Sequence, residues 1–135
     1  MERLTIGELA KHGQVNLETI RYYERIGLIL EPPRTNAGYR IFSPEAIRRV
    51  RFIKRAQELG FSLKEIKELL DLRTSTDSTC ADVQIRAQAK LSDINEKIHT
   101  LQAMKKTLKQ LNAACSGKGA VSKCVILESL SDDEN

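Results

Sequence analysis

The chain has 135 residues, which is enough for one modest core and one extended appendage but too few for two large domains. No signal-peptide pattern stands at its start, and no apolar run approaches the roughly 18 residues that span a bilayer, so we expect a cytoplasmic protein with no membrane partner. All of the net charge of +4 lies in residues 1–73, which carry 14 basic and 10 acidic residues, whereas residues 74–135 carry 8 of each.

Two short helices joined by a turn are predicted at the start of the chain. Thr5 and Glu8 have the spacing of a capping box, in which each side chain accepts from a backbone N–H at the helix start, and this helix should end near Lys11. Asn16 caps a second helix, which Gly27 ends. The connection between them is short and contains a glycine, so the pattern predicts a helix-turn-helix of the size that enters a DNA groove.

A wing and two further helices are predicted next. Proline and the run Asn-Ala-Gly divide residues 31–42 into two short extended pieces, which is typical of a hairpin. Pro44 starts a third helix, because proline at the first helical position loses no needed donor, and this helix runs to about Leu59. Ser62 opens a fourth helix that ends near Leu72.

The second half of the chain is dominated by one long predicted helix. After a polar linker, Thr79 caps a helix that runs to about Asn112. Its apolar residues recur at spacings of three, four and seven: Ala87, Leu91, Ile94, Ile98, Leu101, Leu108 and Leu111. Nothing else in the chain matches its length, so we expect this stripe to pair with a second copy in a homodimer. Lengthwise packing on the N-terminal part is the alternative, and it would leave much of the stripe exposed to water.

Cations and aromatic rings are concentrated in the first half. A basic cluster with no acid inside it comprises Arg48, Arg49, Arg51, Lys54 and Arg55. At a helix-turn-helix such side chains bind phosphates for position and base edges for sequence, so we predict these DNA-binding residues: Thr19, Arg21, Tyr22, Tyr39, Arg40 and Arg49. The cluster could instead be a solvated helix face, and the tyrosines could be core or rim aromatics. One of the adjacent pair Tyr22 and Tyr23 must face inward.

Four runs of residues resemble the winged helix-turn-helix of the MerR family of regulators: 4–10 (LTIGELA), 15–28 (VNLETIRYYERIGL), 38–40 (GYR) and 52–66 (FIKRAQELGFSLKEI). The resemblance covers essentially all of residues 3–72. It implies a dimer joined through a long antiparallel coiled coil, acting on double-stranded promoter DNA whose spacer is longer than RNA polymerase prefers. The long predicted helix supplies the segment that this architecture requires.

Three cysteines lie at the two ends of the long predicted helix. Cys80 begins it, and Cys115 and Cys124 bracket a loop just beyond its end. At about 1.5 Å per residue, Cys80 and Cys115 of one chain are about 50 Å apart, so one chain cannot bring all three thiols to one ion. The antiparallel pair that the resemblance implies would place Cys80 of one subunit beside Cys115 and Cys124 of the other. Gly117 and Gly119 let the loop fold Cys124 back toward Cys115.

The donor set bears on which ion these cysteines bind. Three thiolates without an evident fourth donor suit an ion with trigonal sulfur coordination, whereas structural zinc normally takes four ligands. The cysteine spacing resembles the mercury-responsive members of the family most closely. Lead-responsive members share much of it, and copper-responsive members fit less well. We therefore expect Hg(II) as the effector, with Pb(II) or Cd(II) as alternatives. Three unrelated cysteines remain the other interpretation.

These expectations combine into one mostly α-helical architecture: a winged helix-turn-helix in residues 1–73, a dimerisation helix in 79–113, and a metal-binding loop with a C-terminal tail in 114–135. The expected function is a regulator that represses a mercury resistance operon without metal and activates it with metal, by distorting a promoter shared with RNA polymerase. No enzyme is expected, since no Ser/His/Asp set, carboxylate pair or phosphate loop is evident. The alternatives are a thiol metal carrier and a redox sensor that forms a disulfide.

Overall fold

The computed structural model describes residues 4–30, 32 and 41–132. Over these residues the secondary structure is helical apart from one isolated antiparallel β-bridge between Leu4 and Phe42. The helices are α1 (Ile6–Gly13), α2 (Leu17–Arg25), α3 (Glu45–Glu58), α4 (Leu63–Thr74), α5 (Cys80–Ala114) and α6 (Val125–Ser131), with a 3-10 turn at Val121–Lys123. The prediction of a mostly α fold with a helix-turn-helix and one long helix is confirmed. Most of the predicted wing, including Tyr39 and Arg40, lies outside the described residues.

The chain divides into two compact units, Met1–Arg86 and Ala87–Asn135. The finer division into a DNA-binding part, a dimerisation helix and a metal-binding loop stays a prediction. Helix α6 was not predicted from the sequence and lies within the segment assigned to loop and tail. In the part of the chain that the structure describes, no helix combines the length and the apolar character needed to cross a membrane.

Local capping chemistry sets where three of the helices start. Thr5 accepts from the backbone N–H of Glu8 at 3.2 Å, and Glu8 accepts from that of Thr5 at 3.1 Å. The same reciprocal pair joins Ser62 and Glu65 at the start of α4. Asn16 accepts from the third residue of α2 at 2.8 Å. These bonds satisfy N–H groups that a helix start leaves without a partner, and they confirm the predicted starts.

The core of the first unit lies where α1, α2 and α4 meet α3. The buried apolar side chains are Leu4, Leu9, Ala10, Ile20, Tyr23, Leu28, Ile29, Phe42, Val50, Ile53, Ala56, Ile66 and Leu70. Ile20 of α2, Ile53 of α3 and Ile66 of α4 are fully buried. Burying one such side chain stabilises the fold by about 1.5–3 kcal/mol. The inward position of Ile20 therefore fixes which face of α2 is left outside.

The glycine in the connection between α1 and α2 is not the residue that adopts the turn conformation. Gly13 is the last residue of α1 and is buried, whereas Gln14 adopts the left-handed conformation with a φ of 58°. A Cβ atom on Gly13 would lie 2.5 Å from Cγ1 of Val50 on α3. The glycine therefore allows α1 to approach α3 closely, and the change of chain direction occurs at Gln14.

The long helix α5 has 35 residues and leaves a row of apolar side chains at the surface. The side chains of Leu91, Ile98, Leu101, Met104 and Leu108 are between 46% and 61% exposed. A single chain thus presents to solvent much of the stripe that the sequence assigned to dimerisation. Pairing of two copies stays a prediction.

Candidate DNA-binding surface and metal-binding cysteines

One face of α2 points away from the core and carries polar and aromatic side chains. Its residues, at spacings of three and four, are Glu18, Arg21, Tyr22 and Arg25, and all four are exposed. Side chains at these spacings lie together on one side of a helix. This surface, which we call the outer face of α2, contains two of the predicted DNA-binding residues, Arg21 and Tyr22.

The outer face of α2 is partly organised by its own contacts. Arg21 pairs with Glu18, with Nη1 and Oε1 3.3 Å apart. The guanidinium carbon of Arg25 lies 5.5 Å from the ring centroid of Tyr22, within reach of a cation–π interaction. Exposed ion pairs contribute only about 0–1 kcal/mol, so a DNA phosphate could compete with Glu18 for Arg21. Arg25 was missed by the sequence analysis, although its spacing of three from Tyr22 and four from Arg21 was visible.

The adjacent tyrosines face in opposite directions. Tyr23 is buried, and its hydroxyl donates to Oε1 of Gln57 at 2.7 Å. Burial raises the pKa of the Tyr23 hydroxyl, because the ionised form is poorly solvated there. Tyr22 is 42% exposed. The expectation that one ring of the pair faces inward is confirmed, and Tyr22 is the one left for a ligand.

Thr19 has a structural partner. Its hydroxyl donates to Oδ1 of Asn16 at 2.8 Å, and the same oxygen accepts from the Thr19 backbone N–H at 2.8 Å. Thr19 is half-buried and belongs to the cap of α2. A hydroxyl that donates in this way keeps acceptor capacity. Its contact with DNA stays a prediction.

The basic cluster of α3 is engaged with the backbone of the helix-turn-helix. Three of its side chains donate to carbonyl oxygens: Arg49 Nε to Leu28 at 2.6 Å, Arg51 Nη2 to His12 at 3.2 Å, and Lys54 Nζ to Gln14 at 2.8 Å. The sequence indicated only a DNA-binding or a solvated role for these cations. These bonds tie the turn that precedes α2, and the segment that follows it, to α3. DNA contact by Arg49 stays a prediction.

The thiols occupy the positions expected from the sequence. Cys80 is the first residue of α5 and is exposed, Cys115 directly follows α5, and Cys124 immediately precedes α6. The loop between the last two contains Gly117 and Gly119 with φ values of 76° and 102°, a region that glycine enters at little cost. Cys115 and Cys124 are half-buried, and the Cys115 side chain lies near enough to that of Cys124 to lower the pKa of Cys124.

The start of α6 favours the thiolate form of Cys124. Backbone N–H groups of Leu127 and Ile126 face its sulfur and lower the pKa of Cys124, and the nearby side chain of Cys115 lowers it further. Unpartnered N–H groups at a helix start stabilise negative charge. The thiolate is the form that binds soft metal ions. This effect depends on α6, which the sequence analysis did not predict.

The described residues of one chain do not by themselves complete a metal site. Within residues 4–30, 32 and 41–132, no three side chains of His, Cys, Asp or Glu lie close enough together to hold an ion. Cys115 and Cys124 form a pair of sulfur donors, which suits a thiophilic metal better than Mg²⁺ or Ca²⁺. A further donor has to come from elsewhere.

Comparison with known proteins identifies the family. Residues 4–72 match the model described as "MerR HTH family regulatory protein", and residues 47–111 match the one described as "MerR, DNA binding". The chain belongs to the MerR family. Members of this family are DNA-binding transcriptional regulators, and the outer face of α2 belongs to the matched helix-turn-helix.

Similar MerR-family proteins match nearly the whole chain. The mercuric resistance operon regulatory protein of Bacillus cereus is 44% identical over 128 residues, covering 95% of this chain and 97% of the relative. The lead(II) complex of the transcription regulator PbrR691 from Ralstonia metallidurans CH34 has a TM-score of 0.84 and 31% identity, covering 95% and 99% of the two chains. The mercury(II) complex of MerR from Bacillus megaterium MB1 has a TM-score of 0.73 and 38% identity, covering 96% and 100%.

Proposed function

We propose that this chain is a metal-responsive transcriptional regulator that senses Hg(II) and controls a mercury resistance operon. The observation that carries the proposal is the placement of the three thiols: Cys80 begins α5, Cys115 directly follows it, and Cys124 lies at the start of α6. Similarity to mercuric resistance regulators and to a mercury(II)-bound structure supports the same ion. As a transcriptional regulator, the protein would act in the cytoplasm.

The metal site is proposed to form between two subunits of a homodimer. Cys115 and Cys124 of one subunit would bind the ion together with Cys80 of the other, through antiparallel pairing of the two α5 helices. When bound, the ion would link sulfur atoms of both subunits. The lowered pKa of Cys124 means that less free energy is needed to remove its proton before binding. The exposed row of apolar side chains on α5 supports the pairing.

The DNA-binding surface is proposed to be the outer face of α2 and its surroundings. Arg21, Tyr22 and Arg25 would reach the groove, and the contacts would be completed by Thr19, Arg49, Tyr39 and Arg40. The dimer would hold double-stranded operator DNA both with and without metal, next to RNA polymerase. It would then repress or activate by changing the shape of a promoter with a long spacer. Metal can shift this balance only by its difference in affinity for the two conformations.

A regulator of the same family that responds to Pb(II) is the second candidate, with Cd(II) as a further alternative ion. The specific observation in favour of Pb(II) is the TM-score of 0.84 with the lead(II)-bound relative, higher than the value of 0.73 with the mercury(II)-bound one. Competition between the ions in a titration of the full-length protein decides the preference. Displacement of bound Hg(II) by an equal concentration of Pb(II) would refute the assignment of Hg(II).

Mixing two defective subunits tests the shared site. One subunit carries Cys80→Ala and the other carries Cys115→Ala with Cys124→Ala. Each homodimer lacks a complete set of donors, whereas the antiparallel heterodimer keeps one complete site. We expect the purified heterodimer to bind about half as much Hg(II) with high affinity as the unaltered dimer. Neither homodimer should bind Hg(II) with high affinity. Heterodimer without recovered binding would refute the shared site.

A further inference from the structure

Two basic side chains of α3 donate hydrogen bonds to backbone carbonyl groups at the turn between α1 and α2. Arg51 donates from Nε and Nη2 to the carbonyl oxygen of His12, at 3.3 and 3.2 Å, and Lys54 donates from Nζ to that of Gln14, at 2.8 Å. We propose that Arg51 and Lys54 are positioning residues for DNA recognition, which fix the direction in which α2 leaves the turn. This inference rests on the proposed role of α2 in DNA binding.

The carbonyl group of His12 is one that needs a partner. The last four carbonyls of an α-helix have no intrahelical N–H to accept from, and His12 lies in the last turn of α1. The backbone N–H groups of Gln14 and Val15 close the turn by donating to Lys11 and Ala10, at 3.2 and 3.0 Å. The carbonyl end of a helix also carries partial negative charge, so cations placed there are stabilising.

The same stretch of α3 provides an apolar contact beside these donors. Val50 is fully buried. A Cβ atom added to Gly13 would lie 2.5 Å from the Cγ1 atom of Val50, so the two residues pack closely. The stretch from residue 50 to residue 54 of α3 therefore contacts three consecutive residues of the chain. Val50 packs on Gly13. Arg51 and Lys54 donate hydrogen bonds to the residues on either side of this glycine. Only Val15 separates Gln14 from Asn16, the cap of α2, so the geometry of this turn sets the direction in which α2 starts.

The consequence for recognition is geometric. A small rotation at Gln14 would turn the outer face of α2 relative to the groove, while the buried side of α2 stayed in the core. Contacts with base edges depend strongly on such geometry, whereas attraction of a basic protein to phosphates does not. Arg51 and Lys54 should thus affect specificity more than general affinity for DNA.

Binding measurements with methionine variants separate positioning from phosphate contact. The probes are a duplex selected by the unaltered full-length protein from a random-sequence pool and a scrambled duplex of the same composition. We expect Arg51→Met/Lys54→Met to lose about tenfold in affinity for the selected duplex, roughly the effect of one charged hydrogen bond, with little change for the scrambled one. The salt dependence of scrambled binding should keep its slope, because no phosphate contact is removed.

Two further variants control for charge and for folding. Arg55→Met removes one positive charge, against two in the double variant, from an exposed side chain of α3 that pairs with Glu58 and not with the turn, so it should not change the ratio of the two affinities. Lys54→Arg keeps a donor of similar reach and should retain specific binding. Circular dichroism and thermal unfolding show whether each variant is folded.

Each outcome has one meaning. Equal loss on both duplexes, with the salt slope reduced by about one per removed cation, would show phosphate contact and overturn the inference. An unchanged ratio of affinities in the double variant would overturn it as well. Failure of the unaltered protein to select any sequence would instead refute the proposed function. In that case faster amide exchange from Val15 to Thr19 in the folded double variant would still support the positioning role, and unchanged exchange would refute it.

Discussion

At the scale of single residues, Gly13 is the position where one added carbon has the largest predictable effect. A Cβ there would lie 2.5 Å from Cγ1 and 3.2 Å from Cβ of Val50, a branched and fully buried side chain. We expect Gly13→Ala to lower the free energy of unfolding by about 1–3 kcal/mol, because alanine's better helix propensity is smaller than the cost of overpacking. Urea unfolding monitored by circular dichroism measures the change.

Gly7 offers a matched control in the same helix. A Cβ on Gly7 would have only Thr5 Oγ1 near it, at 4.0 Å. Gly7→Ala should therefore leave stability unchanged or raise it by up to about 1 kcal/mol. Similar destabilisation by the two substitutions would contradict the packing role of Gly13.

Cys124 should respond to pH differently from an ordinary cysteine. Its pKa is lowered by the amides of Leu127 and Ile126 and, to a smaller extent, by Cys115. A lowered pKa means that the thiolate persists as the pH falls below the usual cysteine range and is lost only when the pH passes the shifted value. Thiolate absorbance of the metal-free protein should therefore include a component in that lower range, which Cys124→Ser removes.

A second substitution assigns the cause of this shift. Cys115→Ala removes only the smaller contribution to the lowered pKa of Cys124, so most of the thiolate absorbance at low pH should remain. If Cys115→Ala abolished it as completely as Cys124→Ser, the backbone amides at the start of α6 would not be its main cause.

At the scale of helices, α5 provides the test of dimerisation. Leu101 is 61% exposed and belongs to the predicted apolar stripe, whereas its neighbour Gln102 lies off it. In a symmetric dimer Leu101→Glu removes two buried side chains, which costs about 3–6 kcal/mol and raises the dimer dissociation constant by about 100-fold or more. Gln102→Glu adds the same charge and should leave the dimer intact. Sedimentation equilibrium over a range of concentrations distinguishes the two.

The helix starts show what the sequence can predict about this fold. Thr5, Asn16 and Ser62 act on residues only three positions along, so local pattern was sufficient to place α1, α2 and α4. The apolar stripe of α5 was visible for the same reason. The places of the candidate metal-binding thiols could also be predicted from spacing, because Cys115 and Cys124 lie at the two ends of a loop that contains Gly117 and Gly119.

Features that depend on distant contacts could not be predicted. Arg51 and His12 are 39 positions apart, so the sequence gives no sign that one donates to the carbonyl of the other. The packing function of Gly13 likewise depends on Val50, which belongs to another helix. The seven-residue α6 is too short to be recognised by periodicity, and the lowered pKa of Cys124 depends on it.

At the scale of the whole molecule, an ion pair joins α4 to the beginning of α5. Arg86 and Glu68 are in contact, and Cys80 lies six residues before Arg86 in α5. We expect Glu68→Arg or Arg86→Glu to weaken the transcriptional response to Hg(II) by up to about fivefold, because exposed pairs contribute about 0.2–1 kcal/mol. The double exchange Glu68→Arg/Arg86→Glu should restore it. A reporter fused to the regulated promoter measures the response.

A pair within one helix serves as the control. Arg55 and Glu58 are 3.5 Å apart, and both belong to α3. Glu58→Arg breaks this pair without separating two helices, so the Hg(II) response should be unaffected. If the double exchange at Glu68 and Arg86 did not restore the response to Hg(II), the ion pair between α4 and α5 would have no role in that response.

The short β-bridge between Leu4 and Phe42 links two distant parts of the first unit. Their backbone groups exchange hydrogen bonds of 2.9 and 2.7 Å, and both side chains are buried. Closing a chain loop of this length costs about 3 kcal/mol of entropy, which only the assembled core can offset. The bridge should therefore form late in folding and open only with the core. In native-state hydrogen exchange, the amides of Leu4 and Phe42 should show the same opening free energy as the fully buried Ile53, despite lying outside every helix.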